Sequence, residues 1–318
     1  MNPEIFAEWL QRQGHSIIRS ESSYWYDAGR MILQAFPYHW RIQPSESELQ
    51  DLMLKHSALA LRYSAPLEST VGKVSYHVVL SPPYNMDVLK TSVRNRLKKG
   101  LRECQVEKIP FSRLASEGWE LQKNTLKRQG RLSSMRQSEW ERICLSADGL
   151  EDFEAWGAIV NGKLAASIIV NRIDDVYYIP YAQSHSDYFR LYVNNALLYT
   201  ACHDILARDG ISEIFGSLDS LDAPESVSNF KLNMGFTAKP VRQRVVFSPW
   251  TAPFAKSMTH KTVTWLRNQK PTNNILAKAE GMLRFYLQGQ IPIAKQDWPD
   301  CLTPQKQEIL SKALQPGN

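Results

Sequence analysis

Apolar and polar positions are patterned most clearly between Trp156 and Gln183. The segment WGAIVNGKLAASIIVNRIDDVYYIPYAQ is made of runs of β-branched and aromatic residues around Asn161-Gly162 and Asp174-Asp175. Asn-Gly between such runs is a strong hairpin signal, because both central turn residues take positive φ and these two residue types tolerate it best. The pattern predicts an antiparallel meander. From Val193 to Ala207 the period changes: Ala196, Leu197, Ala201, Ile205 and Leu206 fall on one helical stripe, and Gly210 supplies the stop. A short strand over Glu213–Ser217, a helix opened by Pro224 and ended at Gly235, and a strand over Val241–Phe247 complete this half.

Upstream, Ile5, Phe6, Trp9 and Leu10 have helical spacing before Gly14, and short strands are predicted at Ile17-Ile18, Ser23–Tyr26 and Met31–Phe36, with Asp27-Ala28-Gly29 as the turn between the last two. Ser45 with Glu48 three residues on reads as a capping box for a helix reaching His56. Strands over Ala58–Tyr63 and Lys73–Leu80 follow. Asn85 then caps a helix from Met86 to Cys104, whose stripe is Val88, Leu89, Val93, Leu97 and Leu101, and a strand over Gln105–Ile109 closes the unit. Phe111–Ala147 is predicted helical, with Trp119, Leu121, Leu126, Trp140, Ile143 and Leu145 as core candidates and a break at Gly130 and Leu132-Ser133-Ser134. Beyond Ala255 amphipathic helical stretches lie at Val263–Arg267 and Ile275–Leu287 between prolines. The basic residues there, Lys256, Lys261, Arg267, Lys270, Lys278 and Arg284, suit either a packed appendage or the docking of a partner or membrane surface.

The order of elements from Trp156 to Phe247, together with FKLNMGF at Phe230–Phe236, resembles the C-terminal half of the GNAT acyltransferase superfamily. It is more similar still to the FemAB-like branch, where a strand ending near Gly216 precedes a helix carrying Phe-Lys and then Gly-Phe. The resemblance implies an α/β (α+β) fold of two GNAT-like units in tandem, each a mixed, mostly antiparallel sheet flanked by helices, with a helical C-terminal tail. The expected division is a degenerate unit over 1–110, an acyltransferase unit over 111–250 and a helical extension over 251–318. The implied activity is N-acyl transfer from an acyl thioester, acyl-CoA in the first place, to an amine of a sugar, peptide or lipid-linked glycan intermediate. Fem-type transfer from aminoacyl-tRNA is the alternative, although the chain lacks the long helical hairpin that those enzymes insert. A non-catalytic GNAT-like binding module is the third reading.

Composition narrows this little. Of 318 residues, 43% are hydrophobic and 22% charged, which is globular rather than disordered. No apolar run approaches the roughly 20 residues that span a bilayer, and the first residues are amphipathic rather than leader-like, so a cytoplasmic protein is expected. Cys104, Cys144, Cys202 and Cys301 are far apart and show no metal-ligand spacing, so neither a zinc site nor any other metal is expected. The net charge of +6 is concentrated in part between Lys90 and Lys108, where Arg94, Arg96 and Lys98 suit a phosphate-bearing substrate or RNA, a solvated helix face being the plain alternative.

Acyl transfer asks for oxyanion donors, a base and an acid. In the superfamily the donor's pyrophosphate rests on a glycine-rich loop at a helix start. The corresponding stretch here, Gln183 to Arg190, has no glycine and departs from that signature, although Arg190 is a candidate phosphate contact. The resemblance puts Lys231, four residues before Gly235, where many GNAT enzymes carry a proton-donating tyrosine; a surface lysine is the ordinary alternative. Tyr181 and Gln183 end the strand beside which the acyl group is held in the superfamily, and His185 is a candidate base. Asn194 and Asn195 are candidate donor ligands or simple helix caps, and Asp219 is a candidate substrate ligand or a loop cap.

Overall fold

Asn161 and Gly162 both take positive φ, 50° and 77°, and close the first hairpin as their residue types favour. The computed structural model describes residues 3–29, 31–131, 135–221 and 225–314; the expected helix start at Pro224 and break at Leu132-Ser133-Ser134 lie outside them. In chain order the elements are α1 (Glu4–Arg12), β1 (Ile17–Arg19), β2 (Tyr24–Gly29), β3 (Ile32–Phe36), α2 (Glu46–Lys55), β4 (Ala60–Ala65), β5 (Lys73–Leu80), α3 (Thr91–Glu103), β6 (Gln105–Ile109), α4 (Phe111–Arg128) and α5 (Gln137–Ala147). There follow β7 (Phe153–Val160), β8 (Lys163–Ile173), β9 (Val176–Ser184), α6 (Val193–Leu206), β10 (Glu213–Leu218), α7 (Glu225–Asn233), β11 (Thr237–Phe247), α8 (Ser257–Gln269), α9 (Asn274–Gly289) and α10 (Lys306–Leu314).

The chain forms two compact units that interleave along the sequence, where a serial division at 110 and 250 is expected. One comprises Met1–Gly14, Val78–Ser217 and Ala223–Thr237; the other His15–His77, Leu218–Asp222 and Ala238–Asn318. In the first, the strand order is β10-β9-β8-β7-β6. β6 to β9 pair antiparallel and β10 runs parallel to β9. Every residue of β8 from Leu164 to Asn171 is buried, so both faces of this sheet are covered, as a continuous apolar run demands. The second unit orders its strands β1-β2-β3-β4-β11, antiparallel except for β3 with β4. Its core gathers Trp25, Leu33, Leu49, Leu61 and Tyr63.

Two local expectations are corrected. The predicted helix from Met86 to Cys104 is a 3-10 turn at Met86–Val88 followed by α3, because Leu89 and Lys90 are extended and Leu89 is turned into the core. Gly100 replaces Leu101 on the buried stripe: a Cβ there would stand 2.6 Å from the Tyr192 carbonyl, so glycine lets α3 approach the start of α6. The turn expected at Asp27-Ala28-Gly29 is instead a continuation of β2 with a bulge between Asp27 and Gly29, and Met31, φ 59°, lies in the connection to β3.

Candidate active site

β10 pairs with β9 only through Glu213–Phe215 against Val176–Tyr178. Past Tyr178, β9 runs on to Ser184 beside β8, and the first unit has a cavity of about 250 Å³ there. Its floor comes from Ser167 on β8 and Gln183 on β9, which are register partners. Both are buried, and neither Ser167 Oγ nor the Gln183 amide has a hydrogen-bond partner among the described residues. A buried polar group left unsatisfied costs roughly 1–3 kcal/mol, so this pair points to something that binds there.

Lys231 on α7 forms part of the wall. Its Nζ donates to the Gly216 carbonyl at 2.7 Å. Burial pushes its pKa down to about 8, against an opposing pull from Cys202. Burial likewise pushes the Cys202 thiol up. Across the cavity, α4 contributes Thr125 and Arg128. Arg128 donates to the Ser184 carbonyl at 3.1 Å and lies 4.7 Å from the Phe189 ring centre. Asn194, at the start of α6, donates to Ser184 Oγ at 3.1 Å and also faces the cavity. The described lining thus holds two cations and no carboxylate.

Of the residues singled out in the sequence, the cavity brings together Lys231, Gln183 and Asn194. Tyr181 packs edge-on against Trp9 and Trp140 instead. His185 is an N-cap: its Nδ1 accepts from the Asp187 N–H at 3.4 Å. Arg190 is exposed, and Asn195 donates to the Met234 sulfur. Arg94, Arg96 and Lys98 lie on α3, where Arg94 faces Asp87 at 3.7 Å and the other two are exposed. Asp219 belongs to the second unit, accepts from Ser75 Oγ at 3.0 Å, and has its pKa raised by burial. Ser167 and Arg128 were not singled out; the available signals were a hydroxyl inside an unbroken apolar strand and a Thr-Arg pair three apart on α4.

In the loop that the resemblance places under the donor's pyrophosphate, four backbone donors are already taken. Residues Ser186–Leu191 form a 3-10 turn, and the N–H groups of Ser186, Asp187, Tyr188 and Tyr192 are bonded to Asn124, His185, His185 and Phe189 respectively. Those donors are therefore unavailable to an anion. The four cysteines are free, and the described residues contain no cluster of three metal-ligating side chains.

Compared by sequence, the chain matches no protein-family model and no curated protein. Compared by structure, it is similar to FemX, with 10% identity and a TM-score of 0.54 over 76% of this chain and 90% of that one. It is also similar to a conserved protein of unknown function from Bacteroides thetaiotaomicron VPI-5482, with 11% identity and a TM-score of 0.50 over 75% of this chain and 87% of that one. The chain thus shares the fold of FemX.

Proposed function

We propose that the chain moves an acyl group from an activated ester or thioester to an amine, with the cavity of the first unit as the acyl site. One observation carries this reading: Ser167 and Gln183 are buried, unpartnered among the described residues and register-paired at the floor of a cavity whose wall holds Lys231. The step forms a carbon–nitrogen bond and breaks the donor's carbon–sulfur or carbon–oxygen bond, while the amine sheds a proton and the leaving group takes one. The Gln183 amide and the Ser167 hydroxyl are the donors for the carbonyl oxygen as it gains charge. Lys231, an ammonium below about pH 8, gives its proton to the departing group and recovers one from the amine.

The acceptor is an amine on a small molecule, glycan or peptide. The basic residues of α3, the exposed Arg96 and Lys98 with the half-buried Arg94, suit a phosphate on it. The 185–192 loop favours a second reading, in which the donor is aminoacyl-tRNA and needs no pyrophosphate cradle. Against that donor stand Arg128 and Lys231, which would repel the α-ammonium of an aminoacyl ester in a cavity with no carboxylate in its described lining.

Thermal denaturation with acetyl-CoA, longer acyl-CoAs and charged tRNA tests both, since a ligand of the folded state alone raises the midpoint. A thioester is expected to raise it, and Lys231→Ala to lower turnover tens-fold or more with the fold intact. A shift with charged tRNA alone selects the second reading; no shift with any donor leaves the non-catalytic binding module.

A further inference from the structure

From Ser226 to Ala279 the sequence holds no aspartate or glutamate, while its last part carries Lys256, Lys261, Arg267, Lys270 and Lys278. Over that same part the second unit exposes large apolar side chains: Trp250 (78%), Phe254 (71%), Met258 (81%), Trp265 (59%) and Ile275 (79%). None of the residues of α8 is buried. Met258, Lys261 and Trp265 follow one another at i, i+3 and i+7 and so share a helix face. The opposite side is tied to α9 by polar bonds, His260 and Arg267 meeting the Glu280 carboxylate at 3.0 and 2.8 Å, a carboxylate that also takes Arg284 at 3.2 Å. Lys256, Lys261, Lys270 and Lys278 are exposed and form no ion pair among the described residues.

We propose that this surface docks the second unit on a bilayer containing anionic phospholipid. Apolar area held in water is unfavourable in proportion to its extent, and large apolar side chains exposed along one helix face and the segments next to it in sequence mark a binding surface. Tryptophan sits well at the depth of lipid headgroups, where its ring meets acyl chain and its N–H meets water. Lysines set between the apolar residues reach lipid phosphates while their stems lie along the apolar layer. The interleaving decides between occupants. A protein partner would meet an apolar centre with charges moved to the rim, whereas here a lysine stands one helical turn from Met258 and from Trp265. A single-stranded nucleic acid would use the cations and the rings but leaves Met258 and Ile275 without a role. No described helix is long and apolar enough to cross a membrane, so the contact is with the surface.

Co-sedimentation of the full chain with vesicles of phosphatidylcholine alone, and of equimolar phosphatidylcholine and phosphatidylglycerol, tests this. Binding is expected to the second vesicles only, to weaken with added salt, and to bring tryptophan emission within reach of quenchers in the acyl chains. Replacing Lys256, Lys261 and Lys270 by Gln is expected to lower partitioning about fivefold per charge removed. Trp250→Ser combined with Trp265→Ser is expected to abolish binding although every lysine remains. All five positions are exposed, so the variants keep the fold, which circular dichroism checks. Failure to bind the anionic vesicles would overturn the proposal, as would undiminished binding of the double tryptophan variant. A dimer in light scattering that the same substitutions dissolve would assign the surface to a second copy of the chain instead.

Discussion

At the scale of a residue, Lys231 is where burial and chemistry meet. Desolvation disfavours its ammonium, and between its folded pKa of about 8 and the ordinary lysine value of 10.5 the unfolded chain binds the extra proton. Stability relative to a variant without that group therefore rises with pH through this window. The thermal midpoint of the native chain, measured against Lys231→Met at about pH 7 and about pH 10, is expected to improve at the higher pH. A constant gap would mean that the lysine titrates as in water. Turnover is expected to run the other way, falling above about pH 8 as the proton donor is lost, and Lys231→Arg, which stays charged, to flatten that limb. Lys231 is singled out by the resemblance, counting back from Gly235 in FKLNMGF, and it lines the cavity. Ser167 is not singled out, since one serine in LAASIIV looks the same whether it fills space in a core or faces a cavity. That distinction depends on where β10 leaves β9, which no local pattern encodes.

At the scale of an element, what the sequence carries locally came through. The hairpin at Asn161-Gly162, the strand over Lys73–Leu80 and the cap at Ser45, whose Oγ accepts from the Glu48 N–H at 3.1 Å, each depend on neighbours a few residues away. The end of pairing between β9 and β10 at Tyr178 depends on residues more than thirty positions apart, and so does the approach of α3 to α6. The second can be tested at Gly100. An added Cβ would meet the Tyr192 carbonyl, which is backbone and cannot rotate away, and the Ala196 side chain at 3.1 Å. Tyr192 itself is in the left-handed region, φ 56°, as the residue before α6, so a shift there carries Asn194 with it. Gly100→Ala is expected to cost about 1–3 kcal/mol in urea unfolding, more than the helix propensity of alanine returns. A variant as stable as the native chain would place the two helices further apart.

At the scale of the whole chain, the segment after residue 250 separates into parts with opposite character. α8 lies exposed, whereas α9 enters the second unit, where Phe285 is fully buried among Ala60, Val245 and Met282. Three cations stand over the Phe285 ring, Arg62 at 5.6 Å, Lys73 at 5.4 Å and Arg284 at 5.2 Å, a setting that only a desolvated aromatic face makes favourable. Further on, the Gln296 side chain accepts from the Val74 N–H and donates to the Gly72 carbonyl at 3.1 Å, satisfying backbone groups at the start of β5. Amphipathic periodicity foretold helices here but not their attachment, because an apolar stripe does not name the surface that it covers. A chain ending at residue 250 would open to water the pocket that Phe285 fills and leave the N–H groups of Gly72 and Val74 without Gly289 and Gln296. Such a chain is expected to lose cooperative unfolding of the second unit by circular dichroism and calorimetry. Phe285→Ala in the full chain isolates the packing from the truncation and is expected to cost about 3–5 kcal/mol. If the shortened chain melts with the native midpoint, the segment is an appendage, and the burial of Phe285 contributes nothing to holding β4 and β11 together.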